Sequence, residues 1–381
     1  MKKVFIISSV LLIIVLVFLG IYNFAFKKKS PVVEDSSSRK EASDRISLFD
    51  FGKDKIYSLT DEPVISPVLS EGSKNIIYYS HINGNVWKIS LDGKEKEIIS
   101  EDNLTGLVDV FWSPNKNKAI SKFSKNGEDT FYFYDYKTKD GTKLKGGIDD
   151  IAWTSLGDKI VYKYFDSRTK KRTLNIAEPD GSNWKELTDI PYRNVSVAFI
   201  PKTSLISFWN APDAFLETSF QSISVAGGEI KALFSGKFGA DYLWSPNGDK
   251  VLVSSSDSKG GSKITLGTLN GNGGEYKNLN IPTLVSKSVW GKNSKVIYYA
   301  IPGSIPENSV MPNDYQENKL ITQDTFWKVD VNTDKQERII ELDELEDVEE
   351  NFDAVNLFLS SDEDTLFFTN KTDSKLYGIN L

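Results

Sequence analysis

A short sequence pattern recurs seven times along this chain: an apolar strand, a turn rich in Ser, Pro, Asn or Gly, and a second apolar strand. The clearest copy is Trp244–Lys250, which reads Trp-Ser-Pro-Asn-Gly-Asp-Lys and is followed by an apolar strand. It aligns with copies that begin at Trp112 and Trp153, and weaker copies begin at Leu69, Phe199, Trp290 and Phe358. The seven starting positions are 43, 41, 46, 45, 46 and 68 residues apart. A spacing this regular limits the chain to folds built from repeated units.

The spacing predicts an all-β fold, a seven-bladed β-propeller of four-stranded blades, because about 40–45 residues make one blade. A single four-stranded meander cannot bury both of its faces, so the copies must pack around a common axis. The tryptophans that begin the copies are then interpreted as packing residues rather than ligand contacts. We predict the propeller over residues 45–381, and the interval of 68 residues indicates an insertion at 302–323 in blade six.

The two ends of the repeat region are predicted to complete one blade together. The carboxyl end supplies three apolar strands, at Val355–Leu359, Thr365–Thr369 and Lys375–Leu381. Lys55–Thr60 supplies the fourth, so residues 45–60 are the closing segment. Ile46–Phe51 is then a surplus strand, which either adds a fifth edge strand or displaces the last strand of the chain.

The amino terminus carries a segment with the length and composition of a membrane helix. Val4–Phe26 contains no charged residue and is long enough to cross the ~30 Å hydrocarbon core. No small-residue cleavage site follows it, which favours an uncleaved anchor over residues 1–29 rather than a signal peptide. Residues 30–44 have the composition of a flexible tether. The prediction is a single-pass protein of a bacterial-type cell membrane. The propeller is placed outside the cytoplasm, because a lone apolar segment at the start of a chain commonly acts as an export signal.

Charge and composition exclude several classes of protein. The formal net charge is −7, and the first 29 residues hold five lysines and no acidic residue, so the rest of the chain carries −12. Only the run from Arg168 to Arg172 is locally basic, so we expect no nucleic-acid partner. The chain has no cysteine, which excludes disulfides, thiolate nucleophiles and cysteine metal sites. We expect no cofactor and no metal.

The Trp-Ser-Pro-Asn-Gly-Asp-Lys copy at 244–250 resembles the repeat of TolB-like propellers, a WD40-like family whose usual form is Trp-Ser-Pro-Asp-Gly before a basic residue. The resemblance spans Pro63 to Leu381, and it does not extend to the α/β domain that precedes the propeller in TolB itself. It implies the propeller architecture and a family habit of binding proteins or cell-envelope polymers. A metal-dependent polysaccharide lyase of this type would be expected to use several histidines, whereas His81 is the only histidine here.

Antiparallel strands send the second turn of each blade and the links between blades to one face, and the long loops of this chain fall on that face. They include the insertion and the acidic link Glu341–Asp353, which has eight carboxylates in thirteen positions. We therefore predict a binding face there. Its candidate residues are His81, Arg168, Arg172, Trp209, Phe215, Asp314, Tyr315, Glu344 and Asp347.

The sequence contains no recognisable catalytic motif. There is no Gly-x-Ser-x-Gly, and six arginines are too few for a sialidase. The leading hypothesis is a membrane-tethered, non-catalytic module that binds a protein or an envelope polysaccharide. The alternative is a carbohydrate-active hydrolase that uses carboxylates in the axial channel, because carboxylate pairing is a property of the folded protein.

Overall fold

The computed structural model describes residues 55–340 and 351–381. Strand β1 (Ile56–Ser58) comes first in the chain. Sheet I contains β2 (Val64–Leu69), β3 (Asn75–Ser80), β4 (Val86–Ser90) and β5 (Lys96–Ser100). Sheet II contains β6 (Leu107–Trp112), β7 (Lys118–Lys125), β8 (Glu128–Asp135) and β9 (Asp140–Lys143). Sheet III contains β10 (Ile148–Trp153), β11 (Ile160–Phe165), β12 (Arg172–Ala177) and β13 (Lys185–Asp189). Each sheet is an antiparallel meander.

The next sheet is larger. Sheet IV contains β14 (Val195–Phe199), β15 (Leu205–Asn210), β16 (Glu217–Ser224), β17 (Lys231–Trp244), β18 (Lys250–Ser256), β19 (Ile264–Asn270) and β20 (Lys277–Ile281). The first part of β17 pairs with β16, and Phe238–Trp244 pairs with β18 after a register shift. One long strand therefore belongs to two consecutive meanders.

A short 3-10 turn (Val285–Lys287) leads into the remaining sheets. Sheet V contains β21 (Ser288–Trp290), β22 (Val296–Pro302), β23 (Asp324–Asp330) and β24 (Lys335–Arg338). The connection from β22 to β23 holds the one-turn helix α1 (Asn313–Gln316). Sheet VI contains β25 (Ala354–Leu359), β26 (Thr365–Asn370), β27 (Leu376–Asn380) and β1, in the order β25-β26-β27-β1. Within the residues described, the chain is thus almost entirely strand and turn.

Several predicted features lie outside the described residues: the anchor at 4–26, the tether at 30–44, the surplus strand Ile46–Phe51, and the candidates Glu344 and Asp347. Across residues 55–340 and 351–381, the chain forms no helix with the length and apolar character needed to span a bilayer.

Apolar clusters lie between consecutive sheets. Between sheets I and II, for example, Ile77 of β3 packs with Trp112 of β6. A cluster that includes Phe220 and Tyr242 separates the two halves of sheet IV. The last sheet also packs against the first, where Leu59 lies with Ile76 and Phe367. Each meander therefore buries its faces against its two neighbours, and the series closes on itself.

Four of the seven repeats begin with a tryptophan, and each of these four side chains connects its meander to the preceding one. In each of the four cases, the indole N–H donates a hydrogen bond to a residue of the meander before it. The bonds are Trp112 to the Ser66 carbonyl (2.9 Å), Trp153 to the Phe111 carbonyl (2.8 Å), Trp244 to the Ser207 hydroxyl (2.8 Å) and Trp290 to the Leu243 carbonyl (3.1 Å). These tryptophans are packing residues, as their regular spacing predicts, and the indole N–H of each one forms a hydrogen bond.

The Ser-Pro-Asn-Gly turns close by hydrogen bonds of their own serine. The Ser245 hydroxyl donates to Asp249 Oδ1 at 2.9 Å and accepts the Lys250 N–H at 3.1 Å. Gly248 adopts a left-handed φ of 70°, and a Cβ atom at this position would collide with the Pro201 carbonyl oxygen. Glycine is therefore required at this position for both its conformation and its space.

Strand β1 joins the two ends of the described fold. It pairs antiparallel with β27, placing Tyr57 opposite Gly378. The pairing continues beyond the strand, because the Leu59 N–H donates to the Leu376 carbonyl at 2.8 Å. The side chain of Leu59 is buried.

Gly248→Ala should lower the free energy of unfolding by about 3–5 kcal/mol, through the left-handed conformation and the contact with Pro201. Gly72→Ala is the matched control, because Gly72 has a φ of 81° but a Cβ atom there would have no neighbour within 4 Å. That variant should lose only about 1–2 kcal/mol. Urea unfolding measures both, and equal losses would contradict the packing of the turn against Pro201.

A chain that begins at Asp61 should be less stable than one that begins at Lys55, by at least about 3 kcal/mol, since removal of Leu59 alone empties a buried site. The shorter chain also leaves the edge of β27 unpaired and should aggregate more readily. Thermal unfolding and light scattering compare the two truncated chains. Indistinguishable curves would show that β1 does not stabilise the closure.

Candidate functional site

The connection between β22 and β23, residues 303–323, is here named the insertion segment. It is fixed to sheet IV by hydrogen bonds. The Met311 N–H donates to the Gly261 carbonyl at 2.9 Å, and the Ala214 N–H donates to Asn313 Oδ1 at 2.7 Å. Met311 is fully buried. The insertion segment is therefore an ordered cover over one end of the neighbouring strands.

A buried ionic cluster centred on Lys287 anchors the insertion segment. Lys287 Nζ donates to Asp324 Oδ2 and to Asp353 Oδ1, both at 2.6 Å, and these three side chains have no solvent exposure. The Tyr315 hydroxyl donates to Asp353 Oδ1 at 2.6 Å, and the Thr322 hydroxyl donates to Asp324 Oδ1 at 2.7 Å. One ammonium group thus connects the 3-10 turn, sheet V, sheet VI and the insertion segment.

The pKa values of the two aspartates of this cluster are displaced in opposite directions. Burial raises the pKa of Asp324 above its ordinary value, against the pull of the Lys287 ammonium. Burial acts on Asp353 in the same sense, but the Lys287 charge and the hydrogen bond from Tyr315 hold its pKa below the ordinary value. Asp353 is therefore ionised throughout the neutral range and is the firm ionic partner of Lys287.

A pocket of about 250 Å³ lies beneath the insertion segment and is here named the insertion pocket. Strands β17 and β18 of sheet IV and β25 of sheet VI contribute to it, together with the insertion segment itself. Its wall includes Pro212, Gly239, Asp241, Ser254, Leu284, Ser286, Pro312, Tyr315, Gln316, Asn318, Val355, Asn356 and Lys371. Among these residues, Asp241 is the carboxylate and Lys371 is the ammonium group.

Asp241 is held by one of its two oxygens. Asp241 Oδ1 accepts the Trp209 indole N–H and the Tyr242 backbone N–H, both at 3.0 Å. Asp241 Oδ2 has no hydrogen-bond partner among the residues that the structure describes. Burial raises the pKa of Asp241 to about 6, although the two donated hydrogen bonds act against this rise. The carboxyl group thus titrates near neutrality and keeps an oxygen available to the pocket.

Lys371 supplies the positive charge. Its Nζ atom donates to the Tyr315 carbonyl at 2.8 Å and lies 3.7 Å from the centre of the Tyr315 ring. Burial lowers the pKa of Lys371, while the nearby charge of Asp353 partly restores it. A carboxyl group with a raised pKa and an amino group with a lowered pKa in one pocket form a combination expected for acid–base chemistry.

The candidates predicted from the sequence are dispersed. Tyr315 lines the insertion pocket, and Trp209 is buried behind it as a donor to Asp241. Asp314 lies in α1, where its carboxylate accepts the Val310 N–H at 2.7 Å, and Phe215 is half-exposed on the neighbouring β15–β16 loop.

The other described candidates lie elsewhere. His81 is exposed in the β3–β4 turn. The side chain of Arg168 is 90% exposed in the β11–β12 turn, and the guanidinium of Arg172 lies 4.7 Å from the centre of the Phe165 ring. Of the seven described candidates, only Tyr315 lines the insertion pocket, so these seven side chains do not converge on one pocket.

Sequence reasoning missed Asp241, Lys287 and Lys371. A signal for the first two exists in the repeat, because both stand three residues before a repeat tryptophan, Trp244 and Trp290 respectively. Asp109 and Asp150 occupy the same position in other copies. Lys371 has no such signal, since it lies in the β26–β27 turn.

The fold is similar to that of several solved structures. An oligogalacturonate lyase in complex with manganese matches with a TM-score of 0.62 and 13% identity, over 86% of this chain and 93% of that one. An oligogalacturonate lyase from Vibrio parahaemolyticus matches with a TM-score of 0.61 and 11% identity, over 85% and 93%. The β-propeller domain of the Trilobed protease from Pyrococcus furiosus matches with a TM-score of 0.54 and 12% identity, over 83% and 92%.

No family model matches the chain, and no curated protein matches it. At such low identities the structural likeness shows the fold, which is an all-β propeller built from four-stranded sheets. The resemblance to TolB-like propellers is thus confirmed at the level of the fold.

The comparison corrects the functional prediction. Two of the most similar structures are enzymes, and this finding overturns both the interpretation of the chain as a non-catalytic binding module and the prediction that it is no enzyme. The prediction rests on the lack of a recognisable catalytic motif, whereas Asp241 and Lys371 line one pocket only in the folded chain.

The manganese named for one of these lyases has no matching donor set here. In the described ranges, no group of three or more His, Cys, Asp or Glu side chains is arranged to hold a metal ion. The two buried aspartates nearest the insertion pocket are already bound to the Lys287 ammonium. The donor groups of residues 55–340 and 351–381 therefore do not match those of a resident metal site.

Lys287→Met should lower the free energy of unfolding by about 3–5 kcal/mol, because it leaves two buried carboxylates without their counter-charge. Lys319→Met is the matched control. Lys319 is a lysine of the insertion segment itself, but its side chain is 62% exposed. Its loss should stay within about 1 kcal/mol. Urea unfolding at neutral pH tests the pair, and a small loss for Lys287→Met would show that the cluster does not hold the segment.

Proposed function

We propose that the chain is a carbohydrate-active enzyme whose active site is the insertion pocket, and that it cleaves an acidic oligosaccharide by elimination. The observation that carries the proposal is the presence of Asp241 and Lys371 in one covered pocket, with pKa values displaced in opposite directions. The likeness in fold to two oligogalacturonate lyases supports the substrate class.

The scaffold of this enzyme is inferred to be seven-bladed. Sheet IV divides at β17 into two four-stranded meanders that share this strand, and with the five four-stranded sheets of the described residues this makes seven. The proposal keeps the amino-terminal anchor and the extracytoplasmic location, which rest on the sequence of residues 1–29. An acidic polysaccharide outside the cell would be accessible to such a domain.

The pocket favours elimination over hydrolysis by paired carboxylates. Glycoside hydrolysis by the common mechanism requires two carboxyl groups about 5–10 Å apart. Among the described residues, Asp241 is the one carboxylate that lines the insertion pocket, and the nearby Asp324 and Asp353 are bound to Lys287. Elimination requires one base and one positive charge, which are the groups present.

In the proposed reaction, Asp241 Oδ2 removes the proton from the carbon that carries the sugar carboxylate. The electrons of the broken C–H bond form a carbon–carbon double bond, and the glycosidic oxygen departs with the electrons of its own bond and takes a proton from solvent. Lys371 neutralises the negative charge that builds up on the sugar carboxylate. Tyr315 orients Lys371, because its carbonyl accepts a hydrogen bond from Nζ.

The size of the pocket limits what it can hold. At about 250 Å³, it lies just below the ~300–1,000 Å³ typical of small-molecule sites. This space suits a single sugar ring, with the remainder of the oligosaccharide outside. We therefore propose that recognition at the insertion pocket concerns the ring that is cleaved.

Asp241→Asn and Lys371→Met should each reduce elimination at least about 100-fold, since each removes a group that acts on the transition state. The assay follows the ultraviolet absorbance of the conjugated double bond formed from trigalacturonate. Lys319→Met serves as the control and should retain full activity. A methyl-esterified trigalacturonate should be bound less well by the wild type, because it lacks the charge that Lys371 contacts.

The rate of the wild type should fall as the pH drops below about 6, where Asp241 becomes protonated and cannot act as a base. At alkaline pH it should fall again as Lys371 loses its proton, which happens earlier than for an ordinary lysine. Cleavage that yields reducing ends without ultraviolet absorbance would indicate hydrolysis and contradict the proposal. So would activity that survives Asp241→Asn in a folded protein.

A further inference from the structure

A second and larger cavity lies between sheets I and II. Its volume is about 930 Å³, and it opens where the β5–β6 connection and the β7–β8 turn lie side by side. Both loops are on the same face of their sheets as the insertion segment, because second turns and inter-sheet links share one face. No residue of the insertion pocket lines it. It is here named the aromatic cavity.

Rings from both sheets form the walls of the aromatic cavity. Tyr134 meets Tyr136 edge to face, with centroids 4.9 Å apart, and Phe123 meets Tyr132 in the same way at 5.3 Å. Tyr132 is 38% exposed, so its ring is accessible from solvent. Edge-to-face pairs fix the orientation of each ring and leave faces available for a ligand.

Polar groups are placed between the rings. The hydroxyl groups of Tyr79 and Tyr136 are hydrogen-bonded to each other. Those of Tyr132 and Tyr134 have no protein partner among the described residues, and burial raises the pKa of Tyr134, which keeps its hydroxyl protonated. Asp102 Oδ2 accepts a hydrogen bond from the Ser100 hydroxyl at 2.6 Å, which leaves Oδ1 as an acceptor.

The charges around the cavity argue against a charged ligand of either sign. The carboxylate of Asp102 lines the opening and would repel a phosphate or another anion. Lys125 lines the same cavity, and Lys143 Nζ lies 5.7 Å from the centre of the Tyr132 ring, where it would repel an organic cation. A wholly apolar ligand would leave the hydroxyl groups of Tyr132 and Tyr134 without partners.

We propose that the aromatic cavity binds a neutral oligosaccharide. A sugar ring presents apolar C–H faces and a rim of hydroxyl groups, and the cavity offers ring faces with hydroxyl and carboxylate partners at their edges. Its volume is within the range of small-molecule sites and holds more than one sugar ring. The cavity is separate from the insertion pocket and does not depend on the chemistry proposed there.

The test is titration calorimetry of the full chain in detergent, with cellotetraose as the neutral probe. Tyr134→Ala and Tyr132→Ala should each weaken cellotetraose binding by about tenfold, because each removes a stacking face. Trp184→Ala is the control, since Trp184 is also about half-exposed but lies outside the cavity, and it should leave binding unchanged. Tyr134→Phe keeps the ring packed on Tyr136 and should lose only about two- to fivefold, through the hydroxyl group.

Two further measurements separate this site from the insertion pocket. Asp241→Asn should bind cellotetraose as the wild type does, so a loss there would overturn the aromatic cavity as the binding site. Choline should not compete with cellotetraose, and tight choline binding would overturn the ligand class. No cellotetraose binding at millimolar concentration, or binding unaffected by both Tyr→Ala variants, would also refute the proposal.

Discussion

The packing of each meander against its two neighbours is the interaction on which this fold depends, and in four of the seven repeats a tryptophan contributes to it. A four-stranded meander in isolation exposes two apolar faces, so its position must be set by its neighbours. The buried indole of Trp244 fills the space between two meanders, and its N–H donates to Ser207 on the other side. One side chain therefore provides both apolar burial and a directed bond of about 1 kcal/mol, and the directed bond fixes the register between meanders.

The same packing determines where chemistry can occur. The inner strands of neighbouring meanders converge beneath the insertion segment, and a polar residue on any of them is brought close to its counterparts. Lys287 and Asp353 are 66 residues apart in sequence but form one buried ion pair. Such a pair is costly to desolvate, so it contributes more to specifying one position of the insertion segment than to overall stability. The cluster anchors the segment over the pocket together with its hydrogen bonds to Gly261 and Ala214.

The propeller architecture could be predicted from the sequence because one strand–turn–strand pattern recurs at a nearly constant spacing. Repeat spacing, turn residues and the buried tryptophans are local patterns, and each of them predicts an arrangement that the structure contains. No comparable local pattern marks the residues of the candidate site. Asp241 and Lys371 stand 130 positions apart, and no pattern in the sequence states that they share a pocket. Loop residues such as His81 and Arg168 are predicted candidates because loops often carry function, but both are exposed to solvent and neither lines the insertion pocket.

Equivalent repeat positions differ in how many of their carboxylate oxygens the scaffold uses. Asp150 and Asp241 both stand three residues before a repeat tryptophan, and both are aspartates whose pKa burial raises. Asp150 uses its two oxygens for two backbone N–H groups, those of Ile151 and Val197. Asp241 instead accepts both of its hydrogen bonds on Oδ1, because Trp209 supplies an indole donor beside the Tyr242 N–H. The second oxygen thereby has no structural hydrogen bond among the described residues, and Asp241 lines the insertion pocket, where the proposed reaction would use it as a base.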